Sequence, residues 1–202
     1  MSENMSIDYY NKNAQAFFEG TVDADMSELY RKFLAYVPIG GHILDAGCGS
    51  GRDSVVFLKM GYKVTAFDAS EEMVRLSSEL TRPYAGKPTR LLTFQEFDDI
   101  GSYDAIWASA SLLHVPRDEM DTVIGKLILA LNRGGVLYVS FKYGEGEIER
   151  NGRSFTMITE VTLQELMNKH MGISIRDLWM TNDVRANREV EIWVNGLYMR
   201  TR

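Results

Sequence analysis

The sequence predicts an α/β fold: a doubly wound, mostly parallel sheet with helices on both faces and an antiparallel hairpin at its C-terminal end. From residue 41 onward, short β-branched runs alternate with helix-like segments, a pattern typical of parallel strands joined by crossover helices. Residues 174–179 and 190–199 form two more strand-like runs, joined by a polar loop over 181–189. Because no helix fits between these two runs, we expect them to pair antiparallel.

The individual elements follow from their apolar patterns. Four apolar runs predict parallel strands, at residues 42–46, 62–67, 103–108 and 136–141. Two helices are predicted over 54–60 and 70–79, with Ser70 as N-cap of the second. A third helix is predicted by apolar residues at three- and four-residue spacing: Met120, Val123, Ile124, Leu127, Ile128 and Leu131. Pro116 suits its first turn, and Gly134-Gly135 suits its exit.

The length of 202 residues is typical of one domain. Residues 1–40 precede the alternating pattern and look helical, so we predict an N-terminal helical lid over the edge of a core formed by 41–202. A net charge of −6 and the lack of long Lys/Arg clusters argue against nucleic acid as a partner. No apolar run is long enough to cross a membrane, the first 20 residues do not look like a signal peptide, and Cys48 is the single cysteine, so we expect a cytoplasmic protein without a membrane partner.

The most informative segment runs from Asp45 to Gly51, where a strand ends in an acid and three glycines at alternate positions lead into a helix. Glycine tolerates positive φ and lets a ligand lie against bare backbone. The dinucleotide fingerprint places its last glycine three residues after the second, whereas Gly51 follows Gly49 by two. A purely structural tight turn is the alternative interpretation.

A second acid, Asp68, ends the next strand, 17 residues after Gly51. An acid about 20 residues after a glycine loop is placed to accept hydrogen bonds from ribose hydroxyls. The alternative is that Asp68 only caps the helix that follows. Together, the loop and the acid predict a nucleoside site.

These residues resemble the class I S-adenosylmethionine-dependent methyltransferases, over 43–54, 64–70, 103–115 and 131–141. The resemblance implies a Rossmann-like domain over 1–202 with a seven-stranded sheet that includes a further strand at 90–93, S-adenosyl-L-methionine as cofactor and methyl transfer as activity. The run Gly-Cys-Gly-Ser-Gly-Arg-Asp is also similar to small-molecule branches of the family, such as the tellurite-resistance and thiopurine-type methyltransferases.

The resemblance also implies a set of cofactor-binding residues: Asp45, Gly47, Cys48, Gly49, Gly51, Asp68, Ala69, Gln95, Ala108 and Ser109. The glycine backbone would face the methionine moiety, with Asp45 near its ammonium group, and Cys48 would pack inside the loop rather than act as a nucleophile. Asp68 would hold the ribose and Ala69 the adenine. Gln95 stands where family members often carry Asp, which leaves its contact with adenine open.

Two residues are candidates for catalysis, His114 and Lys142. His114 follows the fourth strand and could act as a general base or contact the substrate, or it could pack against the next helix. Lys142 follows the fifth strand and could attract an anionic acceptor, or it could be a solvated strand end. A base is needed only when the acceptor must lose a proton.

The acceptor is predicted to be a small molecule, because the chain lacks the Asn/Asp-Pro-Pro-aromatic motif of enzymes that methylate nucleic acid bases. The three histidines are far apart without a Cys or acidic cluster, so no metal site is predicted. Two alternatives stay open: a non-catalytic S-adenosylmethionine-binding protein or subunit, and a nicotinamide oxidoreductase, which the glycine spacing disfavours. The oligomeric state is not predicted.

Overall fold

The computed structural model describes residues 2–185 and 191–202. Nine strands lie in these residues: β1 His42–Ala46, β2 Lys63–Asp68, β3 Arg90–Leu91, β4 Tyr103–Ala108, β5 Leu131–Lys142, β6 Glu147–Arg150, β7 Arg153–Thr156, β8 Ile173–Asn182 and β9 Ile192–Arg200. Seven of them form one sheet of order β3-β2-β1-β4-β5-β9-β8, and β6 pairs with β7 in a separate hairpin.

The sheet is parallel from β3 to β5 and antiparallel where β9 joins β5 and β8 joins β9. The predicted fold class, with its C-terminal antiparallel pair, is therefore confirmed. The chain order reverses between β1 and β4, so the connections after these two strands leave on opposite sides. Such a reversal opens a crevice at the carboxyl ends of the strands, where ligands of α/β sheets bind.

Six helices lie in the same part of the chain: α1 Ser2–Glu19, α2 Ser27–Leu34, α3 Arg52–Lys59, α4 Glu71–Thr81, α5 Met120–Ala130 and α6 Glu160–Asn168. One core cluster joins α2 and α3 to one face of the sheet through Phe33, Phe57 and Trp107. The other joins α5 and α6 to the opposite face through residues such as Leu127 and Leu163. Both faces are covered because parallel strands are apolar on both sides.

Several boundaries differ from the sequence prediction. The Ser70 hydroxyl does cap α4, since it accepts a hydrogen bond from the Met73 N–H at 3.3 Å. Pro116, however, lies before α5, in a turn closed by the Glu119 N–H on its carbonyl. Leu131 begins β5 instead of ending the helix, and Gly134, at φ 82°, lies within β5 near a register irregularity. A glycine at positive φ bends a strand without ending it.

Two elements were not predicted. The β6–β7 hairpin turns at Asn151-Gly152, both at positive φ, and the Asn-Gly dipeptide is a strong signal for such a turn. Helix α6 begins with a reciprocal cap between Thr159 and Thr162. β8 extends to Asn182, into the predicted polar loop, while the rest of that loop from 186 to 189 and the predicted strand start at 190 lie outside the described residues.

None of the helices in the described ranges combines the length and hydropathy needed to cross a lipid bilayer.

Candidate active site

A cavity of about 560 Å³ lies at the carboxyl edge of the sheet, within the range usual for ligand sites. The loop after β1 and the end of β2 form one side, and α1 covers it through residues such as Tyr10 and Phe17. The β6–β7 hairpin and the facing ends of β5, β8 and β9 form the far side. The cavity therefore collects segments from both ends of the chain.

The glycine loop is bonded to the end of β2. The N–H groups of Gly47 and Cys48 both donate to the Phe67 carbonyl, at 3.0 and 2.9 Å, and the Gly49 N–H donates to Asp68 Oδ2 at 2.8 Å. Gly47, Gly49 and Gly51 have φ values of 69°, 54° and 89°. This left-handed backbone strongly favours glycine, so the loop and the acid are one hydrogen-bonded unit.

The three glycines have different neighbours. A Cβ on Gly47 would lie 2.5 Å from Ser111 Cβ, and one on Gly51 would lie 2.6 Å from Ser77 Oγ, both too close. A Cβ on Gly49 would meet only Phe17 Cε1, at 3.8 Å. The protein's own packing thus requires glycine at 47 and 51, whereas Gly49 leaves its backbone open toward the cavity.

Asp68 lies at the edge of the cavity with both carboxylate oxygens held by main-chain donors. Oδ1 accepts from the Ser70 N–H at 2.9 Å, and Oδ2 accepts from Gly49. Burial raises the pKa of Asp68, and the N–H donors oppose that rise. A carboxylate oxygen can accept more than one hydrogen bond, so Asp68 can both hold the start of α4 and receive hydroxyls from a ligand.

His114 is held between the main chain and α1. Its Nδ1 lies 2.8 Å from the Ser154 carbonyl, which can only accept, so Nδ1 carries the proton and donates. Its Nε2 is then bare and accepts the Tyr10 hydroxyl at 3.0 Å. Burial lowers the pKa of His114 to about 4, with Arg153 and Lys142 nearby adding to the effect. His114 is therefore neutral near pH 7, and Tyr10 extends its reach into the cavity.

Lys142 lines the far side of the cavity, which we call the hairpin compartment: Tyr9, Tyr10, Lys142, Arg150, Arg153, Phe155, Asp183, Arg185, Glu191 and Trp193. The Lys142 Nζ bonds to Glu191 Oε2 at 2.6 Å and lies 4.9 Å from the centre of the Phe155 ring. It is thus not a solvated strand end but part of a charged and aromatic wall. No group of three or more His, Cys, Asp or Glu within the described ranges is arranged to hold a metal ion.

A methyltransferase-domain family model matches residues 44–137, which run from β1 through the glycine loop and Asp68 into β5. Residues 44–137, a little under half of the chain, are thus similar to a methyltransferase domain. The family resemblance seen in the sequence is thereby confirmed, and the seven-stranded sheet agrees with it. The narrower likeness to the tellurite-resistance and thiopurine-type branches stays a prediction.

Two curated relatives match this domain. The chain is 28% identical over 133 residues to a 2-methyl-6-phytyl-1,4-hydroquinone methyltransferase from Synechocystis sp., covering 63% of this chain and 40% of that protein. It is 31% identical over 109 residues to a ubiquinone biosynthesis O-methyltransferase from Xanthomonas axonopodis pv. citri, covering 51% and 44%. The chain thus spans less than half the length of these relatives.

Solved structures that resemble the whole fold include that of a methyltransferase. The 1,6-didemethyltoxoflavin-N1-methyltransferase from Burkholderia thailandensis, crystallised with 1,6-didemethyltoxoflavin and S-adenosylhomocysteine, superposes with a TM-score of 0.79. The match covers 97% of this chain and 85% of that one at 21% sequence identity. At that identity the likeness concerns the fold.

The methyltransferase domain brings six of the ten expected cofactor residues to the cavity wall: Gly47, Cys48, Gly49, Asp68, Ala69 and Ser109. Burial raises the pKa of the Cys48 thiol well above its ordinary value, in agreement with a packing role. Beyond Ser109, Ala110 has a φ of 51° and its N–H donates to Ser140 Oγ at 2.8 Å. A non-glycine residue in this region stores strain, as is common beside ligand sites.

The other four expected cofactor residues do not line the cavity. Gly51 packs against α4, and Ala108 is fully buried in β4. The Gln95 amide points away and donates to Glu119 Oε2 at 2.7 Å, while Leu92 and Phe94 line the cavity instead. The sequence placed Gln95 by its distance from the strand, which could not show which way the side chain turns.

Asp45, the fourth of these residues, lies beneath the glycine loop and is only 2% exposed. It accepts the Ser54 hydroxyl at 2.6 Å, and burial, with the nearby Asp53 carboxylate adding to it, raises its pKa to about 8. Its observed role is to hold the beginning of α3 under the loop. Because Asp45 does not line the cavity, its position does not support the expected contact with the ammonium group of the methionine moiety.

Arg52 is a cavity residue that the sequence analysis missed, although it directly follows Gly51. Its guanidinium bonds to both oxygens of Asp53, at 2.6 and 3.0 Å. Burial opposes the charge on Asp53, but Arg52, with hydrogen bonds from Tyr30 at 2.5 Å and Trp107 at 2.7 Å, holds the pKa of Asp53 below its usual value. The arrangement fixes the Arg52 guanidinium, paired with Asp53, at the glycine-loop end of the cavity.

Proposed function

We propose that the protein transfers a methyl group from S-adenosyl-L-methionine to a small molecule. The observation that carries this proposal is the bonded pair of Gly49 and Asp68, in which open backbone and a carboxylate meet at the wall of one cavity. The names of the curated relatives, a 2-methyl-6-phytyl-1,4-hydroquinone methyltransferase and a ubiquinone biosynthesis O-methyltransferase, support the same activity.

The residues present fit the proposed methyl donor from end to end. Arg52 is placed for the carboxylate of the methionine moiety, and the Gly49 backbone for its chain. Asp68 would accept the ribose hydroxyls. Apolar side chains, Leu92 and Phe94, would cover the adenine beside Ala69.

Bound S-adenosylmethionine supplies a methyl group that its sulfonium already activates for in-line displacement. The protein's part is to align the acceptor and exclude water, which can lower the barrier by several kcal/mol. Helix α1 covers the cavity, and we propose that residues 1–40 act as its lid. When the acceptor carries a proton, Tyr10 would take it while passing its own to His114 Nε2, whose orientation the Ser154 carbonyl fixes.

The proposal also covers the extent of the domain, the partners of the protein and its location in the cell. The chain would act as one domain over 1–202 on a small-molecule acceptor, without a nucleic acid or membrane partner. A cytoplasmic location is supported by its single cysteine, Cys48, and cell fractionation would test it.

Titration calorimetry tests the proposed function directly. We expect S-adenosylmethionine and S-adenosylhomocysteine to bind, and NAD not to bind. Absence of binding of either sulfur compound at millimolar concentration, or preferential binding of NAD, would contradict the proposal. A screen of thiols, amines, carboxylates and metalloids, scored by release of S-adenosylhomocysteine, separates an enzyme from a non-catalytic binding protein.

A further inference from the structure

The hairpin compartment carries an excess of positive charge although the chain as a whole is acidic. Among the residues that the structure describes, four cationic residues line it, Lys142, Arg150, Arg153 and Arg185, against the two carboxylates of Asp183 and Glu191. The compartment therefore has a balance of +2 in a chain of net charge −6. A cleft with charge of one sign attracts a ligand of the opposite sign.

Three of these cations face carboxylates of the chain itself. Lys142 and Arg150 lie 2.6 and 3.3 Å from Glu191 oxygens, and Arg185 Nε donates to Asp183 at 2.8 Å. Arg153 forms no ion pair with an Asp or Glu in the described parts of the chain. Its charge is the one that a bound anion could neutralise.

Aromatic rings fix the Arg153 guanidinium. Its carbon lies 4.4 Å from the centre of the Tyr9 ring and 5.2 Å from that of Phe155. The Arg153 Nε is buried and has no hydrogen-bond partner among the residues described. Because a buried N–H without an acceptor is unfavourable, the Nε donor is available to an acceptor group of a ligand, and arginine presents its donors in one plane.

The walls around Arg153 suit a flat ring. Tyr9, Tyr10 and Phe155 lie with their ring centres within 5.9 Å of the guanidinium carbon, and Trp193 lines the same cavity beside Lys142. Aromatic side chains favour aromatic ligands through stacking and edge contacts. A ligand that combines a ring with a carboxylate would use both features, since arginine binds a carboxylate through two parallel hydrogen bonds.

We infer that the methyl acceptor is an aromatic carboxylate whose carboxylate group pairs with Arg153. This inference rests on the proposed methyltransferase function and adds the chemical class of the acceptor. The ring would lie among the aromatic side chains, and the carboxylate would bring the compartment's charge closer to neutrality.

The test is binding to protein saturated with S-adenosylhomocysteine, measured by calorimetry. Benzoate, salicylate and anthranilate are compared with their amides, benzamide, salicylamide and anthranilamide, and with phenyl phosphate. We expect at least one acid to bind tenfold or more tightly than its amide. Equal binding of acids and amides, no binding of any acid, or tighter binding of phenyl phosphate than of all three acids would overturn the inference.

Variants of Arg153 test whether this residue is the source of the preference for acids over amides. Arg153→Met should weaken binding of that acid at least tenfold and leave the affinity of the amide within twofold. Arg133→Met, which removes an exposed arginine at the start of β5, should leave both unchanged. Arg153→Lys keeps the positive charge but loses the planar set of N–H donors, so it should weaken binding of the acid to an intermediate extent. An unchanged preference for the acid in Arg153→Met would contradict the assignment.

Binding of S-adenosylhomocysteine is measured first for every variant and reports whether the fold is intact. If the parent protein fails to bind it, the proposed function fails. If it binds and the acids do not, only the inference about the acceptor fails.

Discussion

The two halves of the cavity are built differently. In the glycine-loop half, the decisive bond joins Gly49 and Asp68, 19 residues apart, and its donors are main-chain N–H groups. In and beside the hairpin compartment, side chains from distant segments meet: Tyr10 and the neighbouring His114 are 104 residues apart, and Lys142 and Glu191 are 49 apart. Main-chain geometry in a short segment leaves a sequence motif, whereas a pocket of distant side chains leaves none.

The largest expected effect is a loss of stability from a substitution in the glycine-loop half of the cavity. Gly51→Ala should lower the free energy of unfolding by about 4 kcal/mol, because it adds left-handed strain to a clash with Ser77. Gly49→Ala meets no atom closer than 3.8 Å, so we expect a loss of about 1–2 kcal/mol from its φ alone. Urea unfolding of both variants measures the difference.

The same pair separates stability from binding. Gly49→Ala should weaken S-adenosylhomocysteine binding more than tenfold in protein that is still folded, because its new methyl group enters the ligand's space. Equal stability losses in the two variants would show that the loop is not divided between packing and binding as proposed.

The next effect tests, through pH, the histidine that bonds to Tyr10 of the hairpin compartment. The pKa of His114 is about 4 in the folded protein and near 6.5 when unfolded, so between these values only the unfolded chain takes up the proton. Unfolding thus becomes easier as the pH falls from about 6.5 to 4, by roughly 3 kcal/mol from this residue.

His114→Gln is the matched variant, since a glutamine can still donate to the Ser154 carbonyl and accept from Tyr10. Its free energy of unfolding should depend less on pH than that of the parent over this interval, as followed by denaturant titration at several pH values. Identical pH profiles would mean that His114 is not held neutral.

A smaller effect tests whether Asp68 binds the cofactor. Asp68→Ala should weaken S-adenosylmethionine binding at least tenfold, about 1.4 kcal/mol, through loss of the hydrogen bonds to ribose. Asp68→Asn keeps one acceptor oxygen and should bind with intermediate affinity. Calorimetry with an unchanged dissociation constant in Asp68→Ala would leave only the helix-capping interpretation.

The smallest effect concerns the helix that joins the two halves. Asn11 Oδ1 accepts the Ser70 hydroxyl at 2.7 Å and so ties α1 to the start of α4. Asn11→Ala should lower the free energy of unfolding by about 1 kcal/mol. Gln15→Ala removes only an exposed bond to Glu19 and should change it by a few tenths. Thermal unfolding that ranks the two variants equally would argue against this attachment.

Much of the parallel core could be predicted from the sequence because each strand and helix has its own apolar period. The prediction failed where a residue's role depends on its neighbours in space. Gly134 resembled a helix exit but lies inside β5, and Gln95 turned toward Glu119 and away from the cavity. The β6–β7 hairpin carried an Asn-Gly signal that was not used.

The glycine loop, the acid at the end of β2 and the order of strands and helices could be predicted without the structure, because these depend on backbone conformation and local apolar spacing. The packed structure was needed to show that Gly49 is the open glycine, that the Tyr10 hydroxyl bonds to His114, and that Arg153 lies between aromatic rings without a carboxylate from the described chain. Those properties arise from contacts between residues far apart in the chain, and such contacts form only when the chain packs.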